Sequence, residues 1–205
     1  MVHCLQDAGF RFDQGFTFRA LMVSFVLKLT SVVNFHPLKK YCRCQMRRRA
    51  MNIRRFEKSD AEAVSQLIRI TIEISNKKDY PEELMDELIR IETPEHVLER
   101  SGWTHMYVVL DGEKIIGCGA IGPFWGREDE SSLFTIFVLP EYQGKGIGRK
   151  IMETLEKDEF FLRAKRIEIP ASVTGVPFYL RMGYHYKNGI CEPDDEHLIR
   201  MEKNR

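Results

Sequence analysis

The chain has 205 residues, 43% hydrophobic and 30% charged, which suits one globular domain with an appendage. Five cysteines exclude a disulfide scaffold, and Cys42 and Cys44 lack a second ligand pair at zinc spacing, with only His36 nearby, so a reducing, cytoplasmic setting without a bound metal is expected. The net charge of +1 hides an asymmetry: residues 1–50 carry nine Lys/Arg against two Asp, and residues 51–205 carry 22 Lys/Arg against 28 Asp/Glu.

Residues 18–33 are apolar but broken by Arg19 and Lys28, short of the roughly 20 apolar residues that a membrane span needs. A basic run, Arg47-Arg48-Arg49, follows in place of a small-residue cleavage site, which argues against a signal peptide. An organelle transit peptide and an accessory tail or over-extended reading frame stay open. The compositional break at Met51 favours the tail. Residues 1–50 are therefore expected to lie outside the fold and residues 51–205 to form it.

Residues 52–56 read as a first strand. Ser59 and Glu62 form a capping-box pattern, with Ser59 at the N-cap. The helix that follows carries Val64, Leu67, Ile68 and Ile72 on one face. Pro81 is expected at the first position of a second helix, with Leu84, Leu88 and Ile91 as its buried stripe. Thr93-Pro94-Glu95 starts a further short helix. Strands at 105–110 and 114–121 flank Asp111-Gly112, a hairpin signal. Residues 131–139 are apolar on both faces, Leu133, Phe137 and Leu139 on one and Phe134, Ile136 and Val138 on the other, which predicts a central strand covered on both sides. A helix over 144–157, a strand over 166–169, a helix over 176–182 stopped by Gly183, and strands at 184–187 and 198–202 complete the chain. The order β-α-α-β-β-β-α-β-α-β-β predicts an α/β protein with a mixed sheet and helices on both faces.

The central strand runs into Gln143-Gly144-Lys145-Gly146-Ile147-Gly148, where three alternate glycines precede a helix. Bare backbone amides and a helix N-terminus make an anion cradle. A tight turn alone needs only one glycine. A P-loop needs a hydroxyl after Gly-Lys, and here Gly148 is followed by Arg149-Lys150-Ile151. A dinucleotide fingerprint from Gly144 needs its third glycine one residue later, where Arg149 stands, although Glu168 lies about 20 residues on, as that motif requires.

The hexapeptide matches the pattern [Arg/Gln]-x-x-Gly-x-[Gly/Ala] and resembles the GNAT N-acetyltransferases. Phe137-Val138-Leu139-Pro140 looks like the end of that family's central strand. Phe178-Tyr179-Leu180-Arg181-Met182-Gly183-Tyr184 looks like its Phe-Tyr-x-x-x-Gly-[Phe/Tyr] segment. The resemblance covers residues 51–205 and implies a mostly antiparallel central sheet with helices on both faces. It also implies an acetyl-CoA co-substrate, whose pyrophosphate would sit on the amides of Gln143, Gly144, Lys145, Gly146, Ile147 and Gly148, with charge added by Lys145 and Arg149. Phe137 and Val138 would pair with the pantetheine, and Val138 N–H would act as an oxyanion donor. Tyr179 would be the general acid. Ser172 stands where many relatives have an asparagine that contacts the cofactor.

The implied reaction is direct attack by a primary amine of a small molecule or peptide, with no nucleophilic role for Cys118 or Cys191. Candidates for the base are Glu128, Asp129, Glu130, Ser132 and His105, with Glu130 preferred. The alternative is a non-catalytic acyl-CoA sensor or partner subunit. Neither nucleic acid nor a membrane is expected as a partner, and dimerisation is common in the family.

Overall fold

The computed structural model describes residues 51–77 and 79–205. The readings of residues 1–50 lie outside the described residues. Strand β1 (Asn52–Arg55) is followed by a single 3-10 turn and helix α1 (Ala61–Thr71), which continues as a π-helical segment, Ile72–Asn76. Helices α2 (Glu82–Ile91) and α3 (Pro94–Trp103) lead into β2 (His105–Asp111), β3 (Lys114–Phe124) and β4 (Arg127–Val138). Then come α4 (Ile147–Leu155), α5 (Glu159–Arg163), β5 (Arg166–Ala171), α6 (Val176–Arg181), β6 (His185–Tyr186) and β7 (Ile199–Asn204). No helix among the described residues is long and apolar enough to cross a membrane.

Local signals held with small displacements. The N-terminal brace of α1 comes from Asp60 rather than Ser59: its carboxylate accepts from Glu57 N–H at 2.8 Å and pairs with both Arg54 guanidinium nitrogens. Pro81 sits at the N-cap of α2, one position before the expected one. Thr93 caps α3 by accepting from His96 N–H at 3.3 Å, and that helix runs ten residues, longer than the short helix expected. In the β2–β3 hairpin Asp111 pairs with Lys114, so Gly112-Glu113 forms the turn, with Gly112 at φ 66°. Helix α5, absent from the sequence reading, is held by Asp158, whose carboxylate accepts from Phe160 N–H at 2.9 Å.

Seven strands form one sheet in the order β1-β2-β3-β4-β5-β7-β6, antiparallel except at β4–β5. The doubly apolar β4 occupies the middle. Helix α4 packs on one face against Gly117 and Gly119, where an added Cβ would press on Ile151. Val64, Leu67 and Ile68 of α1 are fully or almost fully buried. The predicted alternation along β4 fails at one point. Ala120 pairs with Phe134 and Cys118 with Phe137, so two residues of β4, Thr135 and Ile136, face one of β3. This bulge adds a residue and reverses the in–out parity beyond it. Thr135 has φ 54°, an unusual backbone for a β-branched side chain.

Strands β4 and β5 pair over only three positions, from Glu130↔Arg166 to Ser132↔Glu168. Beyond them β4 stays with β3 as far as Val138, and β5 stays with β7 as far as Ala171. The two central strands therefore separate in a V that opens towards the glycine turn. The closed end is clamped by Arg166, which reaches Glu130, Glu168 at 2.7 Å and Glu202 at 3.1 Å, while Lys187 also holds Glu168 at 2.7 Å. Burial alone would raise the Glu168 carboxyl, but the Lys187 and Arg166 hydrogen bonds outweigh it and hold the group below the usual carboxylate range.

Candidate active site

The open end of the V is built by the turn after β4. Leu139 donates its N–H to Ile116 O at 3.0 Å, on the β3 side. Successive residues of a paired strand aim their backbone groups at opposite neighbours, so Val138 aims into the gap. Its carbonyl accepts there from Gln143 Nε2 at 3.0 Å, and the same amide reaches Ser75 Oγ at 3.1 Å. The Gln143 side chain thus ties the strand end to the π-helical segment after α1. Its backbone N–H donates to Pro140 O at 3.2 Å, so Gln143 leaves the list of expected amide donors and braces the cradle instead.

The three glycines have different physical roles. Gly144 (φ 71°) and Gly146 (φ 82°) lie in the left-handed region with open space where a Cβ would project. They let the chain turn back from β4 into α4 with its amides bare. Gly148 has ordinary φ, but a Cβ there would meet the Phe178 ring at 3.2 Å. That contact joins the two motifs singled out in the sequence. Gly146 caps α4, and Lys150 N–H is bonded to Gly146 O at 3.1 Å. The amides of the first helical turn before it, Ile147, Gly148 and Arg149, have no carbonyl within the helix to meet. The Ile147 side chain is buried in the core, so only its backbone can serve the site.

A cavity of about 530 Å³ lies against these amides. Phe137, Val138, Gln143, Gly144, Gly146, Ile147, Gly148, Arg149, Ser172 and Tyr179 all border it. Lys145 does not; its ammonium sits over the Tyr142 ring, 5.0 Å from the centroid. Ser172 is partly committed, since its Oγ accepts from Gly175 N–H at 3.2 Å and caps the turn before α6. Thr71, Ser75, Asn76 and Thr174 border the same cavity. No motif marked them, because three of the four lie at the end of the first helix and its π-helical extension, a feature often found at functional sites.

A second cavity, of about 710 Å³, opens between α2, β4, β5 and the loop before β7. Both cavities are bordered by Asn76, Ile136, Phe137, Ser172 and Tyr179. They meet where β4 and β5 part. Tyr179 is 8% exposed and packs beside Phe178 and Tyr184. Burial pushes its phenol well above the ordinary value of 10, so it stays protonated through any physiological pH. Tyr80 ties this junction together, accepting from Val173 N–H at 2.8 Å and donating to His197 O at 3.2 Å.

The expected bases are not brought here. Glu130 is paired with Arg166 and with Arg127 at 3.0 Å, at the closed end of the V. From Val138 it is eight residues away, about 25 Å at roughly 3.3 Å per strand residue. Glu128 borders neither cavity; Asp129 pairs with Lys165 at 3.2 Å, Ser132 Oγ donates to Glu168 O, and His105 Nδ1 faces Asp158 at 2.8 Å. Sequence proximity to the central strand misled, because the site sits only at its C-terminal end. The acids that do border the second cavity are Glu87, Glu92 and Glu196. Cys118 is fully buried, burial pushes its thiol up to about 12, and Sγ–H donates to Thr135 O at 3.3 Å, so it packs rather than reacts.

Comparison with known proteins accords with this geometry. Residues 102–186 match the family model described as the acetyltransferase (GNAT) domain. The uncharacterized N-acetyltransferase YjcF of Bacillus subtilis (strain 168) is 32% identical over 104 residues, 50% of this chain and 71% of that protein. This chain belongs to the GNAT N-acetyltransferase family. Its enzyme class is therefore acyltransferase. The fold of this GNAT protein is also that of the PaiA N-acetyltransferase from Thermoplasma acidophilum, solved with coenzyme A: TM-score 0.65, 19% identity, 76% of this chain and 99% of that one. An aminoglycoside 6'-N-acetyltransferase complexed with coenzyme A gives TM-score 0.57 at 18% identity, over 75% and 97% of the two chains.

Proposed function

We propose that the protein moves an acetyl group from acetyl-CoA to a primary amine by direct attack, with the coenzyme in the first cavity and the amine in the second. The observation that carries this reading is the junction: two cavities share Phe137, Ser172 and Tyr179 where the central strands part. A ternary complex needs such a meeting point, and direct attack needs no enzyme nucleophile. The coenzyme complexes of the two solved relatives above support coenzyme A as the donor.

In this reading the amides of the α4 first turn and the Arg149 side chain take the pyrophosphate. The gap-facing backbone of Val138 pairs with the pantetheine as an added strand would, whereas Phe137, one residue earlier, turns its backbone towards β3 and only lines the cavity. Val138 N–H holds the thioester oxygen as negative charge develops there, a contribution of about 3 kcal/mol for one such donor. The thioester supplies an acyl carbon activated for attack. The amine nitrogen forms the new C–N bond as the C–S bond breaks. Tyr179 gives its proton to the departing sulfur, and the proton lost by the amine leaves through water in the second cavity.

Free thiol released from acetyl-CoA, followed with the full-length protein and a panel of primary amines, tests the proposal. Amine-dependent release above the background hydrolysis rate is expected. Tight acetyl-CoA binding with no amine-dependent release would overturn it and favour a sensor.

A further inference from the structure

The lining of the second cavity discriminates among amines. Thirteen of its side chains are hydrocarbon or aromatic, and Leu84, Leu88, Ile91, Phe134 and Leu198 form its walls. Among the described residues that line it, the single cation is Arg100. That guanidinium is already spent. It grips Glu92 through two hydrogen bonds, at 2.8 and 3.2 Å, and donates to Thr135 Oγ1 at 2.9 Å. The pair is well sheltered, with 13% and 11% of the two side chains exposed. Glu196 is paired with Arg200. Glu87, on the solvent side of α2, is exposed and has no ion pair among the described residues.

Resting on the acetyl-transfer reading, we infer that the acceptor is a primary amine on a hydrocarbon body that carries no carboxylate: an alkylamine or arylalkylamine rather than an amino acid. A carboxylate on the acceptor would leave water for a wall whose one cation among the described residues is already engaged, and would face Glu87, a carboxylate with no ion pair among the described residues. An ammonium meets the opposite situation: Glu87 at the rim attracts it, and the apolar walls take the hydrocarbon body. Glu92 is in this account a specificity-determining residue: it occupies Arg100, the one cation among the described residues of the lining.

The test uses hexylamine and 6-aminohexanoate, whose amines both have pKa values near that of lysine, about 10.4, so that the carboxylate is the main difference. With full-length protein and acetyl-CoA, kcat/KM read by thiol release should favour hexylamine by tenfold or more. Glu92→Gln frees Arg100 and should narrow that ratio by lowering KM for 6-aminohexanoate. Should that buried change unfold the protein, Glu87→Lys, at an exposed position, should narrow it by raising KM for hexylamine. Equal or inverted preference in the wild type, or a ratio unmoved by the folded variants, overturns the acceptor class and leaves acetyl transfer standing. No thiol release with either amine or with a wider amine panel overturns the transfer reading and this inference with it.

Discussion

Gly146 and Gly148 look alike in the sequence and fail differently when changed. At Gly146 the strain is conformational: φ is 82° and there is open space beyond. Gly146→Ala should cost about 1 kcal/mol through the left-handed backbone, with a matching small loss of acetyl-CoA affinity. Gly146→Glu adds a negative charge beside the amides and should weaken acetyl-CoA binding at least tenfold beyond alanine, measured by titration calorimetry. Glutamate binding as tightly as alanine would remove the pyrophosphate assignment. Tyr179 makes a sharper case. Its burial raises the phenol's pKa, so the acid form persists to higher pH than a free tyrosine's. The pH profile of kcat/KM should climb as the amine deprotonates and show no descending limb below pH 10, the unperturbed tyrosine value. Tyr179→Phe should lower kcat by about 10²-fold with the acetyl-CoA Kd unchanged. Wild-type turnover in that variant would leave Tyr179 a packing residue.

At the scale of elements, β4 organises the site through two irregularities. One is the parting from β5 after Ser132↔Glu168; the other is the bulge at Thr135. A residue held in a sparsely populated backbone region costs about 1–3 kcal/mol. Here the Arg100 hydrogen bond to Thr135 Oγ1 and the Cys118 thiol on Thr135 O offset part of it. The opposite face of β3 shows how tightly α4 is seated. A methyl at Gly119 would fall on Ile151 Cγ2, the branched inner part of a fully buried side chain. Gly119→Ala should therefore lower stability by about 1–3 kcal/mol through overpacking, read from urea denaturation midpoints. An unchanged midpoint would mean that α4 can lift without cost. The element order and the central position of β4 were legible from hydrophobic runs, since each is a local pattern. The bulge was not, because apart from Thr135 itself Leu133–Leu139 is apolar in either parity.

For the molecule as a whole, residues 51–205 hold the acidic balance and both motifs, and the family model matches inside that span. A chain beginning at Met51 is expected to stay soluble, unfold cooperatively and retain amine-dependent thiol release, checked by thermal denaturation and the thiol assay; insoluble or inactive protein would show that residues 1–50 take part in the fold. The excess of acidic groups over that span also favours a cationic acceptor through long-range attraction, which added salt should weaken.

The glycine turn, the Phe178-Tyr179 segment and the apolar central strand were readable from order alone, because a cradle of bare amides, a helix stop at Gly183 and a central strand each follow from neighbours in sequence, although Phe134–Val138 are only partly covered. Even the cradle's internal division of labour, with Gly148 set against Phe178 and Gln143 spent on Val138 and Ser75, needed the folded chain. So did the removal of Glu130 to the clamped end and the arrival of Glu87, Glu92 and Arg100 at the second cavity. A β-strand carries its residues some 3.3 Å apart, so two groups on one strand can belong to opposite ends of the molecule. Helices α2 and α3 reach the site by packing across the sheet, and no local pattern in their sequence says where their polar side chains will land.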